Sequence, residues 1–184
     1  MRTPFSVKRT TLYILAGGKS SRFGEDKGSF VWKGKALIEH VLNDFSSFET
    51  AHLLTRKERS FPTFGLRSVF DIFGEGPLAG IHAALLDADT DWVFIVPCDT
   101  LGFAMSWLEA FEGKEANAIA FHDGQKWFPL FSAFHKDAIV HIEKNLKEGK
   151  LALWKNLDDL DAERISIPPG WRNLHRIDHK RDLA

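Results

Sequence analysis

Thr11-Leu12-Tyr13-Ile14-Leu15-Ala16-Gly17-Gly18-Lys19-Ser20-Ser21-Arg22-Phe23-Gly24-Glu25-Asp26-Lys27 is the stretch from which the rest of the chain is read. A short apolar run, long enough for one buried strand, stops at two adjacent glycines, and small, polar and basic residues follow. Gly17 and Gly18 leave no Cβ in the way of a ligand and can take backbone angles closed to other residues. After a buried strand, such a turn exposes several backbone N–H groups at the carboxyl end of a sheet, where open α/β folds bind ligands. Arg22 and Lys27 add two positive side chains close by. These parts suit a polyphosphate. An ordinary strand-to-loop turn with solvated charges uses the same residue types, because short glycine motifs are weakly specific.

Two familiar phosphate loops are excluded. Gly18-Lys19-Ser20 has the ending of a P-loop, but the leading glycine of that motif would fall on Tyr13. The dinucleotide fingerprint fails because Gly17 and Gly18 are adjacent and the next glycine is Gly24.

Two further segments carry chemistry-bearing residues. Val96-Pro97-Cys98-Asp99 sets a carboxylate just past the strongest strand candidate, Trp92 to Val96. A metal-bound phosphate sits at that position in such folds, although Asp also commonly caps the following helix. Gly76-Pro77-Leu78-Ala79-Gly80 follows Asp71 and reads on residue types alone as a proline-initiated helix start.

The pattern Leu15-Ala16-Gly17-Gly18, Ser20, Arg22-Phe23-Gly24, Asp26-Lys27 resembles the signature L-A-G-G-x-S-x-R-[MF]-G-x-D-K of the molybdenum cofactor guanylyltransferases and their nucleotidyltransferase relatives. The G-P-L-A-G and P-C-D segments occur in that family's order, so the resemblance spans residues 15–99 and is looser beyond. It implies an α/β, three-layer α/β/α Rossmann-like nucleotidyltransferase fold with a mostly parallel sheet and one inserted antiparallel strand. It implies nucleotide contacts at Leu15, Ala16, Gly17, Gly18, Lys27, Thr55, Asp71, Gly76, Pro77, Leu78, Gly80 and Asp99. Arg22, Lys27 and Asp99 are the implied catalytic groups, with Mg²⁺ on Asp99. Asp71 stands nearer the G-P-L-A-G loop than the family pattern places its aspartate, and the match at Thr55-Arg56 is weak. Phe128-Pro129-Leu130 resembles a segment on the acceptor side of the family's cleft, while a proline-initiated core strand is the plain reading. The family usually closes with N-x-N-T-P-E-D-L; here Arg176-Ile177-Asp178 stands in place of N-x-N. Asp178 could supply oxygen to the metal, whereas Arg176 could hold a phosphate but not a metal.

The activity the resemblance implies is transfer of GMP from GTP to molybdopterin with release of pyrophosphate. CTP, or a sugar or polyol phosphate acceptor, is the enzymatic alternative. A non-catalytic GTP-binding assembly factor is the third reading, favoured only by the altered C-terminal motif. Molybdoenzymes or other cofactor-assembly proteins are candidate partners.

The bulk properties agree with one domain over residues 1–184, within which the resemblance implies 11–100 as the nucleotide-binding half and 101–184 as the acceptor-binding half. At 184 residues the chain should bury roughly 70% of its unfolded surface. With 44% hydrophobic residues and a net charge of −1 it has no broad basic field, which argues against nucleic acid as a partner. No apolar run reaches the roughly 18 residues of a membrane span, and no signal peptide is read. A single cysteine, Cys98, suits a reducing compartment, so a cytoplasmic location is expected.

Periodicity predicts strands over 11–16, 51–55, 68–71, 92–96, 116–121, 130–134 and 164–167 and a short extended piece at 30–32. It predicts helices over 36–48, 77–88, 103–111, 138–149 and 151–160. His175 and His179, four residues apart, could share a helical face beside Asp178 in a transition-metal site; exposed histidine pairs are the commoner explanation of that spacing.

Overall fold

Six consecutive residues, Trp92–Pro97, are buried on both sides of the central sheet, because a strand covered by helices on each face has no solvent side. The computed structural model describes residues 2–16, 27–56, 62–74 and 76–183. In chain order the strands and helices are β1 (Thr10–Leu15), β2 (Val31–Trp32), β3 (Lys35–Ala36), α1 (Leu37–Asp44), β4 (Ala51–Thr55), β5 (Arg67–Phe70) and α2 (Gly76–Asp87). There follow β6 (Trp92–Pro97), β7 (Thr100–Leu101), β8 (Ala118–His122), β9 (Trp127–His135), α3 (Ile139–Lys147), α4 (Leu153–Asp159), β10 (Glu163–Ser166) and β11 (His175–Arg176).

Seven strands form one sheet in the order β10-β8-β9-β6-β1-β4-β5. β9 runs antiparallel to both neighbours, β6 and β8, and every other pairing in the sheet is parallel. Residue alternation divides the core. Leu12, Ile14, Trp92, Phe94 and Val96 pack with Leu37, Ile38 and Val41 of α1 on one face. Tyr13, Val93 and Ile95 pack with α2, α3 and α4 on the other, through Ile81, Ile142 and Leu157. The three-layer expectation is met, antiparallel insertion included.

The chain leaves β1 for β4 and β5 on one side, then returns to β6 on the other. That reversal makes the carboxyl ends of β1 and β6 a topological switch point, where a crevice opens. Register holds the strand ends level: Leu15 pairs with Leu54 and Pro97, and Thr55 pairs with Phe70.

Some elements depart from the sequence expectation. The helix expected over 36–48 stops at Asp44. Its first turn is held by the Glu39 carboxylate, which accepts from the Ala36 N–H at 2.7 Å, while its Asp44 carboxylate accepts from the Gly102 and Phe103 N–H groups at 2.7 and 3.3 Å. The expected helix over 103–111 is a 3₁₀ segment, Met105–Ala110, whose entry is fixed by the Asp44 bonds. His175 and His179 do not share a helical face. His175 lies in β11, paired antiparallel with β7, and His179 belongs to the turn that follows. The strand expected at 130–134 starts earlier, at Trp127, with an irregularity between Ala120 and Phe121 of β8 that leaves Pro129 inside β9. A bulge is where a strand tolerates a residue without an N–H. Among the described residues no helix is long and apolar enough to cross a membrane.

Candidate active site

A cleft of about 820 Å³ runs along the carboxyl ends of the parallel strands. One wall comes from the first part of the chain: Leu15 and Ala16 at the end of β1, Lys27, Thr55 and Arg56 at the end of β4, Asp71 just past β5, and Gly76, Pro77 and Gly80 of α2. The opposite wall comes from β9 and the C-terminal segment: Lys126, Trp127, Phe128, Pro129, Leu130 and Phe131, then Trp171, Arg172, Leu174 and Arg176. Pro97, Cys98, Asp99 and Thr100 form the floor between them.

The backbone explains this assembly. Ala16 donates to the Leu54 carbonyl at 2.9 Å and Cys98 to the Leu15 carbonyl at 3.2 Å, extending the parallel ladders to the cleft edge. The turn carrying Lys27 is tied to α1 where Ile38 donates to the Gly28 carbonyl at 3.1 Å. Gly76 takes φ +68°, a left-handed angle that favours glycine, and opens α2 toward the cleft. The first-turn N–H groups of a helix lack intrahelical partners and carry a partial positive charge, which suits phosphate. Gly80 answers a different need: a Cβ there would lie 2.7 Å from Leu15 Cδ2, so only glycine lets α2 approach β1 this closely without displacing a side chain.

β9 runs against its neighbours, so its beginning, not its end, reaches the switch point. The irregularity at Pro129 presents Phe128 to Phe131 to the cleft. Behind them Trp171 packs against Phe121, Phe128 and Phe131, with ring centroids at 4.6, 5.1 and 5.7 Å. Lys126 Nζ stands 5.4 Å from the Phe128 ring centre. The second wall is therefore an aromatic surface bordered by Lys126, Arg172 and Arg176.

Charge concentrates on the floor. Lys27 Nζ donates to Asp99 Oδ2 at 3.0 Å and to Asp178 Oδ1 at 3.3 Å. Arg176 Nε lies 3.2 Å from the same Asp178 oxygen. The other Asp99 oxygen accepts from the Thr100 hydroxyl at 3.3 Å. The Lys27 and Asp99 side chains are only 13% and 17% exposed, so their contact is less screened than a surface pair. Asp178 arrives from far along the chain because β11 pairs with β7 and the Ile177 N–H donates to the Asp99 carbonyl at 2.8 Å. Asp182 then fixes the Asp178 turn, its carboxylate accepting from the Asp178 and His179 N–H groups at 2.8 and 2.7 Å.

Of the residues singled out by sequence, Leu15, Ala16, Lys27, Thr55, Asp71, Gly76, Pro77, Gly80 and Asp99 all line the one cleft. Leu78 does not. It is fully buried in the core beneath α2, where its place on the helix turns it away from the cleft. Asp71 has a local task as well: its Oδ1 accepts from the Gly74 N–H and shapes the turn leading to α2. Gly17, Gly18 and Arg22 lie outside the described residues. Asp178 is not counted in the cleft wall itself, yet it reaches Lys27 beside it. Sequence reading passed over Lys126, Trp171, Arg172 and Asp182. Only the Asp182-Leu183 ending, a remnant of E-D-L, offered a signal for one of them.

Comparison with known proteins gives this site its class. The fold is similar to the crystal structure of molybdopterin-guanine dinucleotide biosynthesis protein A from Archaeoglobus fulgidus, with a TM-score of 0.76 over 94% of each chain at 21% identity. It is a nucleotidyltransferase fold, with its crevice at the carboxyl ends of the parallel strands. Residues 12–162 match the MobA-like NTP transferase domain, and the chain belongs to that family. It is 36% identical over 180 residues to a molybdenum cofactor guanylyltransferase of Vibrio parahaemolyticus, covering 91% of each chain. To the molybdenum cofactor guanylyltransferase of Aliivibrio fischeri ES114 it is 32% identical over 179 residues, covering 91% of this chain and 92% of that one.

Proposed function

We propose that this protein transfers GMP from GTP to molybdopterin, forming the guanine dinucleotide form of the cofactor and pyrophosphate. Family membership and full-length relatives of that name support the reaction class and its substrates. The observation that carries the site assignment is the meeting of Lys27, Asp99 and Asp178 on the floor between two chemically different walls.

The first wall, within residues 11–100, receives the nucleotide. Leu15, Ala16, Thr55, Gly76, Pro77 and Gly80 line it with Lys27, and the roles proposed for Gly17, Gly18 and Arg22, outside the described residues, are nucleotide contact for the glycines and phosphate neutralisation for the arginine. The second wall, within 101–184, receives the acceptor: Phe128 and Trp171 offer ring surface for a planar heterocycle, and Lys126, Arg172 and Arg176 offer charge for its phosphate.

The acceptor phosphate oxygen attacks the α-phosphorus of GTP in line. A bond forms from that oxygen to phosphorus, the bond from phosphorus to the bridging α–β oxygen breaks, and pyrophosphate carries off the electron pair. A phosphate monoester is already largely ionised near neutral pH, so no protein base is required. The obstacle is charge. Lys27 and Arg22 lower the cost of bringing two anions together, and Arg176 holds the acceptor phosphate against its target.

The donor set fits a hard divalent cation. Asp99 and Asp178 supply two carboxylates, the usual protein share for Mg²⁺, which completes its shell with phosphate oxygens and water. No group of three or more His, Cys, Asp or Glu side chains able to hold a metal ion occurs among the described residues. Mg²⁺ bound there would polarise the phosphoryl oxygens and balance the leaving pyrophosphate. A cytoplasmic setting suits these substrates and the single thiol, Cys98, at the cleft floor.

The test is pyrophosphate release with Mg²⁺ from GTP, CTP, ATP and UTP, with and without molybdopterin. Release confined to GTP plus molybdopterin is expected. Release with CTP alone among the nucleotides would overturn the guanine assignment, and GTP binding without release under an active acceptor preparation would leave only a binding role.

A further inference from the structure

Four charges from the two walls and the floor meet in one chain: Arg176 Nε to Asp178 Oδ1 at 3.2 Å, Asp178 Oδ1 to Lys27 Nζ at 3.3 Å, and Lys27 Nζ to Asp99 Oδ2 at 3.0 Å. Two cations face two carboxylates, so these four side chains together carry no net charge. The Lys27 ammonium stands within 3.3 Å of an oxygen from each carboxylate, which is where a cation shared by Asp99 and Asp178 would have to sit. Arg176 adds a second positive charge at the position where the signature it resembles carries an uncharged asparagine.

We propose that Lys27 is a placeholder for the divalent cation. In the nucleotide-free protein its ammonium neutralises the Asp99–Asp178 pair and keeps free metal out. The arriving triphosphate draws the ammonium onto its own oxygens, and the metal enters with the nucleotide as one unit. The proposal rests on the reading above that these carboxylates receive the metal–nucleotide complex.

The physical case has three parts. A divalent ion entering alone must displace Lys27 and leave an ammonium without its counter-ions beside a dication in a partly enclosed site, an arrangement of like charges that costs free energy. A lysine suits the exchange, being a compact point charge on a flexible four-carbon stem that can swing between carboxylate and phosphate. Arg176 reinforces the block from outside: its side chain is 70% exposed, and it engages the same Asp178 oxygen as Lys27. A merely structural ion pair would predict something else. Its removal would lower stability and leave no gain in metal affinity.

The experiment measures binding of Mn²⁺ alone to the full-length protein by calorimetry, or by the electron paramagnetic signal of free Mn²⁺, at low salt. Wild type, Lys27→Ala, Arg176→Asn and Asp99→Asn are compared, with circular dichroism and unfolding midpoint recorded for each. Lys27→Ala is expected to bind Mn²⁺ about tenfold more tightly than wild type, a factor equivalent to about 1.4 kcal/mol. Arg176→Asn should do so by several-fold, and the double variant Lys27→Ala/Asp99→Asn should lose the gain. With GTP present the sign should reverse: Lys27→Ala should bind the Mn²⁺–GTP complex about tenfold more weakly, having lost a phosphate contact. Folded Lys27→Ala with unchanged or weaker affinity for Mn²⁺ alone would overturn the placeholder. Should Lys27→Ala fail to fold, Arg176→Asn decides, and unchanged affinity there overturns it equally. If the gain survives Asp99→Asn, the ion sits elsewhere, and the metal assignment of the proposed reaction falls with it. If the gain depends on Asp99 but no form of the protein binds GTP, Lys27 still keeps free metal out, while its release by GTP and the guanylyl reading both fail.

Discussion

Gly80→Ala separates the stability of this fold from the shape of its cleft. The added Cβ would meet Leu15 Cδ2 at 2.7 Å and Leu54 Cδ1 at 3.6 Å. Carbon atoms pack at about 3.5–4.0 Å, so roughly 1 Å must be found at the first contact and almost nothing at the second. The atom in the way is the tip of a flexible side chain, so Leu15 yields before the helix does. Alanine in a helix interior gains about 1 kcal/mol over glycine, while overpacking costs about 1–3 kcal/mol. The net is a destabilisation of about 0–2 kcal/mol, which in a chain of this size lowers Tm by no more than about 8 °C. The larger effect falls on binding, because Leu15 lines the cleft and α2 leaves it only the cleft side to move into. Misplacing one methyl group is worth about 0.8 kcal/mol, so KM for GTP should rise about fourfold while kcat holds. Thermal unfolding and the pyrophosphate assay read the two effects separately. Leu15→Ala removes the obstructing atom, so the double variant should recover the helix gain, with a coupling of at least about 1 kcal/mol between the sites. A Tm that rises by the full helix gain, with KM unchanged, would refute the close approach of α2 to β1 as the reason for glycine here.

Other expectations are narrower. Lys27→Ala should lower turnover about tenfold to a thousandfold, the scale of losing one preorganised donor, and full activity would remove Lys27 from the reaction. Asp99→Asn should reduce turnover and raise the Mg²⁺ concentration needed for half-maximal rate; an unaltered Mg²⁺ requirement would exclude it as a ligand. Arg172→Ala should raise KM for the acceptor about tenfold or more and leave KM for GTP alone, since it lies on the second wall; the reverse pattern would exchange the walls. Burial pushes the imidazoles of His82 and His135, each 2% exposed, below the ordinary histidine value. The unfolded chain therefore takes up protons first as pH falls through about 6.5, and stability, whole above that pH, declines below it by up to about 1.4 kcal/mol per pH unit for each histidine. Neither His82 ring nitrogen has a hydrogen-bond partner among the described residues, so His82→Leu should flatten the fall in urea midpoint between pH 7.5 and 5.5. An unchanged slope would assign the fall to other groups.

How much of this molecule is readable without coordinates depends on whether the determining contacts are local. β6, and β1 after its two threonines, are continuous apolar runs, and their burial on two faces follows from composition alone. The G-P-L-A-G segment states its own geometry, because proline in a first turn and a glycine before it are local constraints on φ. The 3₁₀ segment at Met105–Ala110 is different. Its apolar spacing suits an α-helix, but the chain entering it is held by the Gly102 and Phe103 N–H groups donating to Asp44, almost sixty residues earlier in the chain.

The site divides along the same line. Lys27 and Asp99 are legible because each belongs to a contiguous signature, whereas the second wall draws Lys126 and Phe128 from the start of an irregular strand and the turn before it, and Trp171 and Arg172 from a single 3₁₀ turn, Trp171–Asn173, with no period to follow. Asp178 lies between these cases. In sequence it is a departure from an expected asparagine, and whether an aspartate there can act on the reaction depends on what it meets. That is decided by a two-residue ladder, His175 with Leu101 and Arg176 with Thr100, too short to be read from propensity. This ladder brings Asp178 to Lys27, and it also brings Arg176 to Asp178, so the two departures answer one another: the added carboxylate arrives with an added guanidinium beside it. Read as separate substitutions, they suggest a damaged motif; read as a pair, they leave the charge of the floor unchanged.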